Sequence, residues 1–242
     1  MSMRIAAFNG SPKGRSSATY LLVEAFLEGA SGKNAEVVHH VLSEKDISHC
    51  KGCFGCWLRT PGRCVIKDDM RELTKELITA DLAVLAFPLY VDDVPGLMKD
   101  FLDRLIPLLD PHFERDPQGE SRHVRRYESY PRLVIISNCG FPERSHFQVV
   151  SHHFRRIARN MHTDVLEEIY LCGGGMLTMP SPLAAPFKNR YLRAMKRAGR
   201  EMCEKGVLTE RTRKALKRPL IPERLYFEGV NRGFDSILSH SK

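Results

Sequence analysis

Several features are missing from this chain, and each absence narrows its class. No apolar run approaches the ~20 residues that cross a bilayer, so no membrane partner is expected. No leader precedes the first apolar segment, because Met1-Ser2-Met3-Arg4 runs straight into it, and the expected location is the cytoplasm. Seven cysteines, an odd number, argue against a disulfide framework and fit a reducing compartment. A Walker A loop is absent. The dinucleotide fingerprint G-x-G-x-x-G is absent too, and no acidic residue closes the second predicted strand to hold a ribose hydroxyl. There are no internal repeats. The basic runs Arg125-Arg126, Arg155-Arg156 and Arg211 to Arg218 lack interleaved aromatic residues, so they read as solvated faces and not as nucleic-acid contacts. The net charge of +8 is scattered among acidic residues and reads the same way.

What is present is an α/β pattern. Ile5 to Phe8, Ala35 to Leu42, Leu82 to Phe87, Leu133 to Ser137 and Val165 to Leu171 read as strands. The third and fourth are solidly apolar, as in central parallel strands buried on both faces. Helical spacing runs over 17–30, 68–79, 96–109 and 145–161. The alternation predicts a doubly wound parallel sheet, in which ligands bind beyond the carboxyl ends of the strands. A cysteine-rich loop occupies 47–67, and Gly32-Lys33-Asn34 turns the chain between the first helix and the second strand. Residues 110–131 read as a long insertion, a flexible lid or an oligomer contact. After Leu171, glycines and prolines suggest a linker, followed by one amphipathic helix over 187–204 and an irregular tail. The domains expected are therefore 1–172 and an extension, 173–242.

The chain is organised around Arg4 to Thr19. A strand, the hydroxyl-rich turn Asn9-Gly10-Ser11-Pro12 and a helix start place backbone N–H groups and the positive helix end around one point, which suits a phosphate. Ser11, Ser16, Ser17 and Thr19 supply hydroxyls, and Lys13 and Arg15 supply charge. With the nucleotide fingerprints missing, the single terminal phosphate of FMN in a flavodoxin-like sheet fits this turn. An ordinary strand-to-helix turn with a capping serine is the simpler alternative. The loops 9–19, 88–93 and 138–141 should meet at one edge of the sheet.

Cys50, Cys53, Cys56 and Cys64 form C-x2-C-x2-C-x7-C. That spacing can close a [4Fe–4S] cube. Free thiols or a disulfide are the main alternative, and structural zinc a third, since zinc usually takes two separated pairs. Cys139, Cys172 and Cys203 sit beside apolar residues and read as small packing groups.

Taken together, NGSPKGRSSATYLL, the cysteine motif with GRCVIKDDM, FPLYVDDVPGLMKDFLDR and SNCGF resemble the NADPH-dependent FMN reductase family, especially its iron–sulfur flavoprotein branch. The similarity spans roughly residues 4–172. It implies a flavodoxin-like five-stranded parallel sheet of order 2-1-3-4-5, helices on both faces and a C-terminal helical extension. It implies an FMN phosphate held by Ser11, Lys13, Ser17, Ala18 and Thr19. Ala18 stands where family members often have Asn, a contact that Ser16 or Arg15 could replace. Pro88, Leu89, Tyr90 and Val91 would edge the isoalloxazine ring on one side, and Asn138, Cys139, Gly140 and Phe141 on the other. Lys99, Asp103 and Arg104 match the family pattern as structural or interface residues. The four loop cysteines match the branch's iron–sulfur ligands.

The activity implied is hydride transfer from NAD(P)H to FMN and onward electron transfer to a small-molecule or protein acceptor, with no catalytic protein side chain required. An iron–sulfur electron carrier without direct NAD(P)H turnover is the alternative. A homodimer or higher homo-oligomer is the default assembly.

Overall fold

The computed structural model describes residues 2–31, 35–180 and 182–240. The predicted turn at Gly32-Lys33-Asn34 lies outside the described residues.

The chain runs β1 (Met3–Asn9), α1 (Ala18–Ser31), β2 (Ala35–Val41), the single-turn α2 (Gly55–Leu58), α3 (Met70–Ile78), β3 (Leu82–Pro88), α4 (Gly96–Asp103), β4 (Leu109–Arg115), β5 (Ser121–Arg125), β6 (Arg132–Asn138), α5 (Gln148–Asn160), β7 (Val165–Leu171), α6 (Ala185–Lys205), α7 (Glu210–Lys217) and α8 (Glu223–His240). Five strands pair in parallel in the order β2-β1-β3-β6-β7. This is the flavodoxin-like order expected once β4 and β5 are set aside.

The apolar runs of the central strands follow from burial on both faces. Side chains alternate across a strand. Ile5, Ala7, Leu82, Val84, Ala86, Val134 and Ile136 enter one core with α1 and α6. Ala6, Phe8, Ala83, Leu85, Phe87, Leu133 and Ile135 enter the other, with α3, α4 and α5. Neither face meets water, so no polar alternation survives in the sequence.

The expected 96–109 helix ends early. α4 stops at Asp103, and a 3-10 turn over Ile106–Leu108, with Pro107 in it, leads into β4. The 110–131 insertion has regular structure. It is the antiparallel hairpin β4–β5, pairing Phe113 with His123 and Glu114 with Arg122. It is pinned from three sides. Trp57 Nε1 donates to the Leu109 carbonyl at 2.9 Å, Tyr130 Oη donates to Leu108 at 2.6 Å, and Arg159 Nε donates to the buried Asp116 carboxylate at 2.6 Å. The hairpin is polar on both sides, which hid its strands from periodicity.

Among the described residues, 173–242 hold three α-helices, α6, α7 and α8, where a linker, one helix and an irregular tail were expected. α6 lies directly on α1. A Cβ on Gly29 would fall 1.8 Å from the Lys196 carbonyl oxygen, and one on Gly199 would fall 1.8 Å from that of Phe26. Reciprocal glycines let the two backbones touch, and Tyr191, Met195, Ala198 and Met202 of α6 share the α1 core. α7 starts at Thr209, whose side chain accepts from Thr212 N and donates to Glu201 Oε1 at 2.9 Å. α8 anchors through Tyr226, whose hydroxyl donates to the Gly140 carbonyl at 2.6 Å. Among the described residues, no helix is long and apolar enough to cross a membrane.

Candidate functional site

The carboxyl ends of β1, β3 and β6 are neighbours in the sheet, so the loops leaving them start side by side. Hydrogen bonds then knit those loops together. Gly10 N donates to Ala86 O at 2.8 Å, and Leu89 N donates to Asn138 O at 2.8 Å. Asn138 Nδ2 donates to Thr19 Oγ1 at 2.8 Å, linking the loop after β6 to the first turn of α1. Gly174 lets this asparagine sit where it does, since a Cβ there would fall 2.5 Å from Asn138 Oδ1. Residues 9–19, 88–91 and 138–141 thus share one rim.

The hydroxyls of the first loop have divided roles. Ser17 is the capping serine: its Oγ donates to Gly14 O at 2.7 Å and accepts from Tyr20 N at 3.0 Å. Ser16 Oγ donates to Lys13 O. Both therefore spend their protons inside the loop. Ser11 and Thr19 keep theirs, because among the described residues neither hydroxyl is a donor. Arg15 is committed elsewhere. Its guanidinium holds both carboxylate oxygens of Glu44, at 2.6 and 2.9 Å, and so does not replace the missing Asn side chain at Ala18.

The donors left over fit an anion. Within the described hydrogen bonds, the amides of Lys13, Arg15, Ala18 and Thr19 have no acceptor, the last two standing in the opening turn of α1 where none exists within the helix. Asn9 Nδ2 is fully buried without a partner, while its Oδ1 accepts from Ser11 N at 2.9 Å. A buried amide donor left unmatched is costly, and an oxygen-rich ligand would satisfy it. Asn9 escaped sequence reading because it looks like a turn-former at a strand end.

The loop after β3 is strained. Val91 and Asp92 both have positive φ, 52° and 57°, in a tight turn closed by Tyr90 N to Asp93 O at 2.9 Å and Asp93 N to Tyr90 O at 3.1 Å. Such turns favour glycine and asparagine. A β-branched valine there costs on the order of 1–3 kcal/mol. Two histidines hold the turn: His146 Nδ1 lies 2.9 Å from Asp92 Oδ1, and His153 Nδ1 lies 3.5 Å from Asp93 Oδ1. His146 also stacks on Phe141 at 4.2 Å, coupling the 88–93 and 138–141 loops. Tyr90, Val91 and Phe141 remain exposed beside the rim. The amides of Leu89, Tyr90, Asp93 and Cys139 are already spent on backbone partners, and within the described hydrogen bonds those of Val91, Asp92, Gly140 and Phe141 have no acceptor.

The cysteine loop is a separate region. Cys50 and Cys53 are exposed, Cys64 is half-buried and Cys56 is buried. Burial raises the Cys56 thiol, and the charges of Cys64, Cys50 and Cys53 raise it further. Among the described residues, however, no three His, Cys, Asp or Glu side chains converge as metal ligands. As they stand, the four cysteines do not fit an iron–sulfur cube or a zinc ion. Below them, Arg104 grips Asp68 through two bonds of 2.6 and 2.8 Å and donates to Ser48 O at 2.7 Å, with both side chains 1% exposed. This gives Arg104 the structural place expected of it. Lys99 and Asp103 form an exposed i,i+4 pair on α4.

Two large cavities lie away from the rim. One, about 970 Å³, runs along edge strand β7, and the other, about 1010 Å³, lies beside Cys64. Members of the basic runs are paired: Arg126 with Asp110, Arg155 with Glu168, Arg156 with Glu120, and Arg213 with Glu167.

Fold and rim together define a flavodoxin-like protein with unspent amide and hydroxyl donors at the carboxyl end of its sheet. The chain belongs to the NADPH-dependent FMN reductase family, whose model matches residues 3–174. Curated relatives are named iron–sulfur flavoproteins. One from Archaeoglobus fulgidus is 38% identical over 106 residues, covering 43% of this chain and 46% of its own. One from Methanosarcina thermophila is 32% identical over 111 residues, covering 46% and 56%. The chain therefore spans about half the length of the curated relatives it matches. Among solved structures, an NAD(P)H:quinone oxidoreductase from Methanothermobacter marburgensis aligns with TM-score 0.60 at 17% identity, over 84% of this chain and 98% of that one. An FMN-dependent NADH-azoreductase from Bacillus anthracis, in complex with FMN, aligns with TM-score 0.59 at 14% identity, over 84% and 100%. At these identities the likeness is one of fold.

Proposed function

We propose that this chain is an FMN-dependent oxidoreductase that draws electrons from NAD(P)H and delivers them to a small-molecule or protein acceptor. The observation that carries this reading is the bonded path from Thr19 through Asn138 to Leu89. It brings three sequence-distant loops to one rim, beside unspent amides and the unmatched Asn9 side chain.

FMN, when bound, supplies the hydride-accepting ring and the route for electrons. The chain's residues do the rest. The Ala18 and Thr19 amides, the Ser11 and Thr19 hydroxyls and the Lys13 ammonium would hold the phosphate at the positive end of α1. Ser16 and Ser17 shape that loop. Pro88 to Val91 and Asn138 to Phe141 would flank the ring, with the Val91, Gly140 and Phe141 amides offered to negative charge developing there. No side chain is assigned a proton-transfer role.

A second reading, an iron–sulfur electron carrier, is favoured by the relatives' names and by the spacing of Cys50, Cys53, Cys56 and Cys64. Because the thiols do not converge, no electron step is routed through a cluster here. For partners we propose a second copy of this chain in a symmetric homodimer and no nucleic acid, since the basic runs lack interleaved aromatic residues and Arg155, Arg156 and Arg213 already have carboxylate partners. The location we propose is the cytoplasm.

The test is FMN titration of the purified chain, followed anaerobically by addition of NADH and of NADPH. A bound-flavin spectrum that bleaches with either nucleotide is expected. Protein that takes up no FMN overturns the proposal. Uptake without bleaching, in protein that carries iron, moves the function to the second reading.

A further inference from the structure

Cys139 and Cys172 stand side by side on adjacent strands. β6 and β7 pair in parallel with Asn138 opposite Leu171, so the next residues along are these two cysteines. Cys139 N donates to Leu171 O at 3.1 Å, which carries the register one residue past the strand ends, before the ladder shifts with Gly174 N donating to Cys139 O at 2.8 Å. Residues level on neighbouring strands point to the same face, and both cysteines pack into the α3–α4–α5 core. Neighbouring strands lie ~4.8 Å apart, inside the Cα separation of about 4.4–6.8 Å that a disulfide spans. Both thiols are free.

The two thiols are not equivalent. Cys139 is buried, and its Sγ also donates to Phe141 O at 3.3 Å. Cys172 is half-buried and opens to a cavity of about 160 Å³ under α8. Arg144, Lys217 and Arg218 line that cavity against a single carboxylate, Glu223. The neighbouring Cys139 draws the Cys172 thiol down toward thiolate and burial opposes this; the nearby Arg144 charge favours the thiolate and the Glu143 carboxylate disfavours it. Cys172 in turn raises Cys139, as does burial. One accessible thiol with thiolate character and one buried thiol beside it is the arrangement of an attacking and a resolving cysteine.

We infer that Cys139 and Cys172 form a redox-active dithiol that exchanges with carboxylate-bearing low-molecular-weight disulfides. The Cys172 thiolate attacks one sulfur of R–S–S–R, forming a mixed disulfide and releasing RS⁻, which leaves as RSH with the proton that Cys172 lost. Cys139 then gives up its proton and attacks the Cys172 sulfur, breaking the mixed disulfide and releasing the second RSH. In sum, R–S–S–R and two cysteine thiols become two RSH and one Cys139–Cys172 disulfide. Excess RSH drives the reverse. Electrons move only between sulfurs, so the exchange stands apart from the flavin reading.

The experiment treats the full-length, folded chain with oxidised glutathione, then maps disulfides and free thiols by differential alkylation and peptide mass spectrometry. A Cys139–Cys172 disulfide is expected, with two glutathiones released for each one formed. Cys139→Ser should trap glutathione on Cys172, and Cys172→Ser should leave Cys139 unreacted. Because the cavity is basic, oxidised glutathione should react at Cys172 on the order of tenfold faster than the cationic disulfide cystamine. Both thiols remaining free while other cysteines in the same sample oxidise would overturn the exchange. Cystamine reacting as fast or faster would overturn the carboxylate preference. Each outcome is read without FMN, so failure here and failure of flavin binding are separable.

Discussion

The carboxyl rim of the sheet and the cysteine loop are built in opposite ways. At the rim, the holding bonds join residues remote in sequence: Asn138 reaches Thr19 across 119 positions, and Leu89 reaches Asn138. In the cysteine loop, shape comes mostly from short-range turns, such as Trp57 N and Leu58 N donating to Phe54 O and Thr60 Oγ1 to Arg63 O. Two longer anchors, Trp57 to Leu109 and Arg104 to Ser48 and Asp68, fasten it to the body. The rim is therefore preorganised by the fold itself.

The comparison breaks most sharply at Arg104. Arg104→Ala leaves the buried Asp68 carboxylate unpaired and should cost about 3–5 kcal/mol in urea unfolding, while FMN uptake by the folded fraction persists. The sign with pH follows from Asp68. Burial works against its charge, but the Arg104 bonds and the Ser48 and Met70 amides prevail and hold its carboxyl below the usual range. Stability from this pair is thus complete above the unfolded carboxylate value of ~4 and is lost as pH falls through the lower folded value. The gap between wild type and variant should be full near neutrality and close in acid. A small, pH-independent gap would place Asp68 in solvent.

A smaller effect is expected at the rim. Asn138→Ala removes the link to Thr19 and should weaken FMN binding by about tenfold to a hundredfold, matching the ~1–3 kcal/mol of a broken buried hydrogen bond. Unchanged affinity in a fluorescence titration would show that the loops are positioned without it. The smallest effect belongs to the exposed thiols. The double variant Cys50→Ser with Cys53→Ser should shift metal-free stability by about 0.5 kcal/mol or less. Its flavin content should match wild type, and any iron carried by anaerobically purified wild type should fall away. Loss of flavin in this variant would join two regions that are separate here.

Much of the fold was legible because burial leaves a periodic record. The runs IAAF, LAVLAF and LVIIS marked strands covered on both faces, and the stepping of Phe147, Val150, Phe154 and Ile157 marked the α5 region. The rim loops were legible as strand ends followed by turn residues. The hairpin β4–β5 was not, because Asp110, His112, Glu114 and Arg122 mask its alternation. The helical tail was not either: α7 is held by Glu201 and Thr209 and α8 by Tyr226, contacts that leave no periodic trace. Within the site, the sequence pointed to hydroxyls but not to which had protons to spare. Ser17 caps, Ser16 folds back, and Thr19 and Ser11 remain.

By itself, the sequence determined the layers of this protein, because apolar periodicity reports how each segment is buried and that is a local property of the chain. Tertiary structure alone decided that α6 lies against α1 through Gly29 and Gly199, that Asn138 reaches Thr19, and that Cys139 and Cys172 each follow a paired strand end. Those contacts join residues whose spacing carries no signal, and they exist only once the strand order and register have set which ends are neighbours.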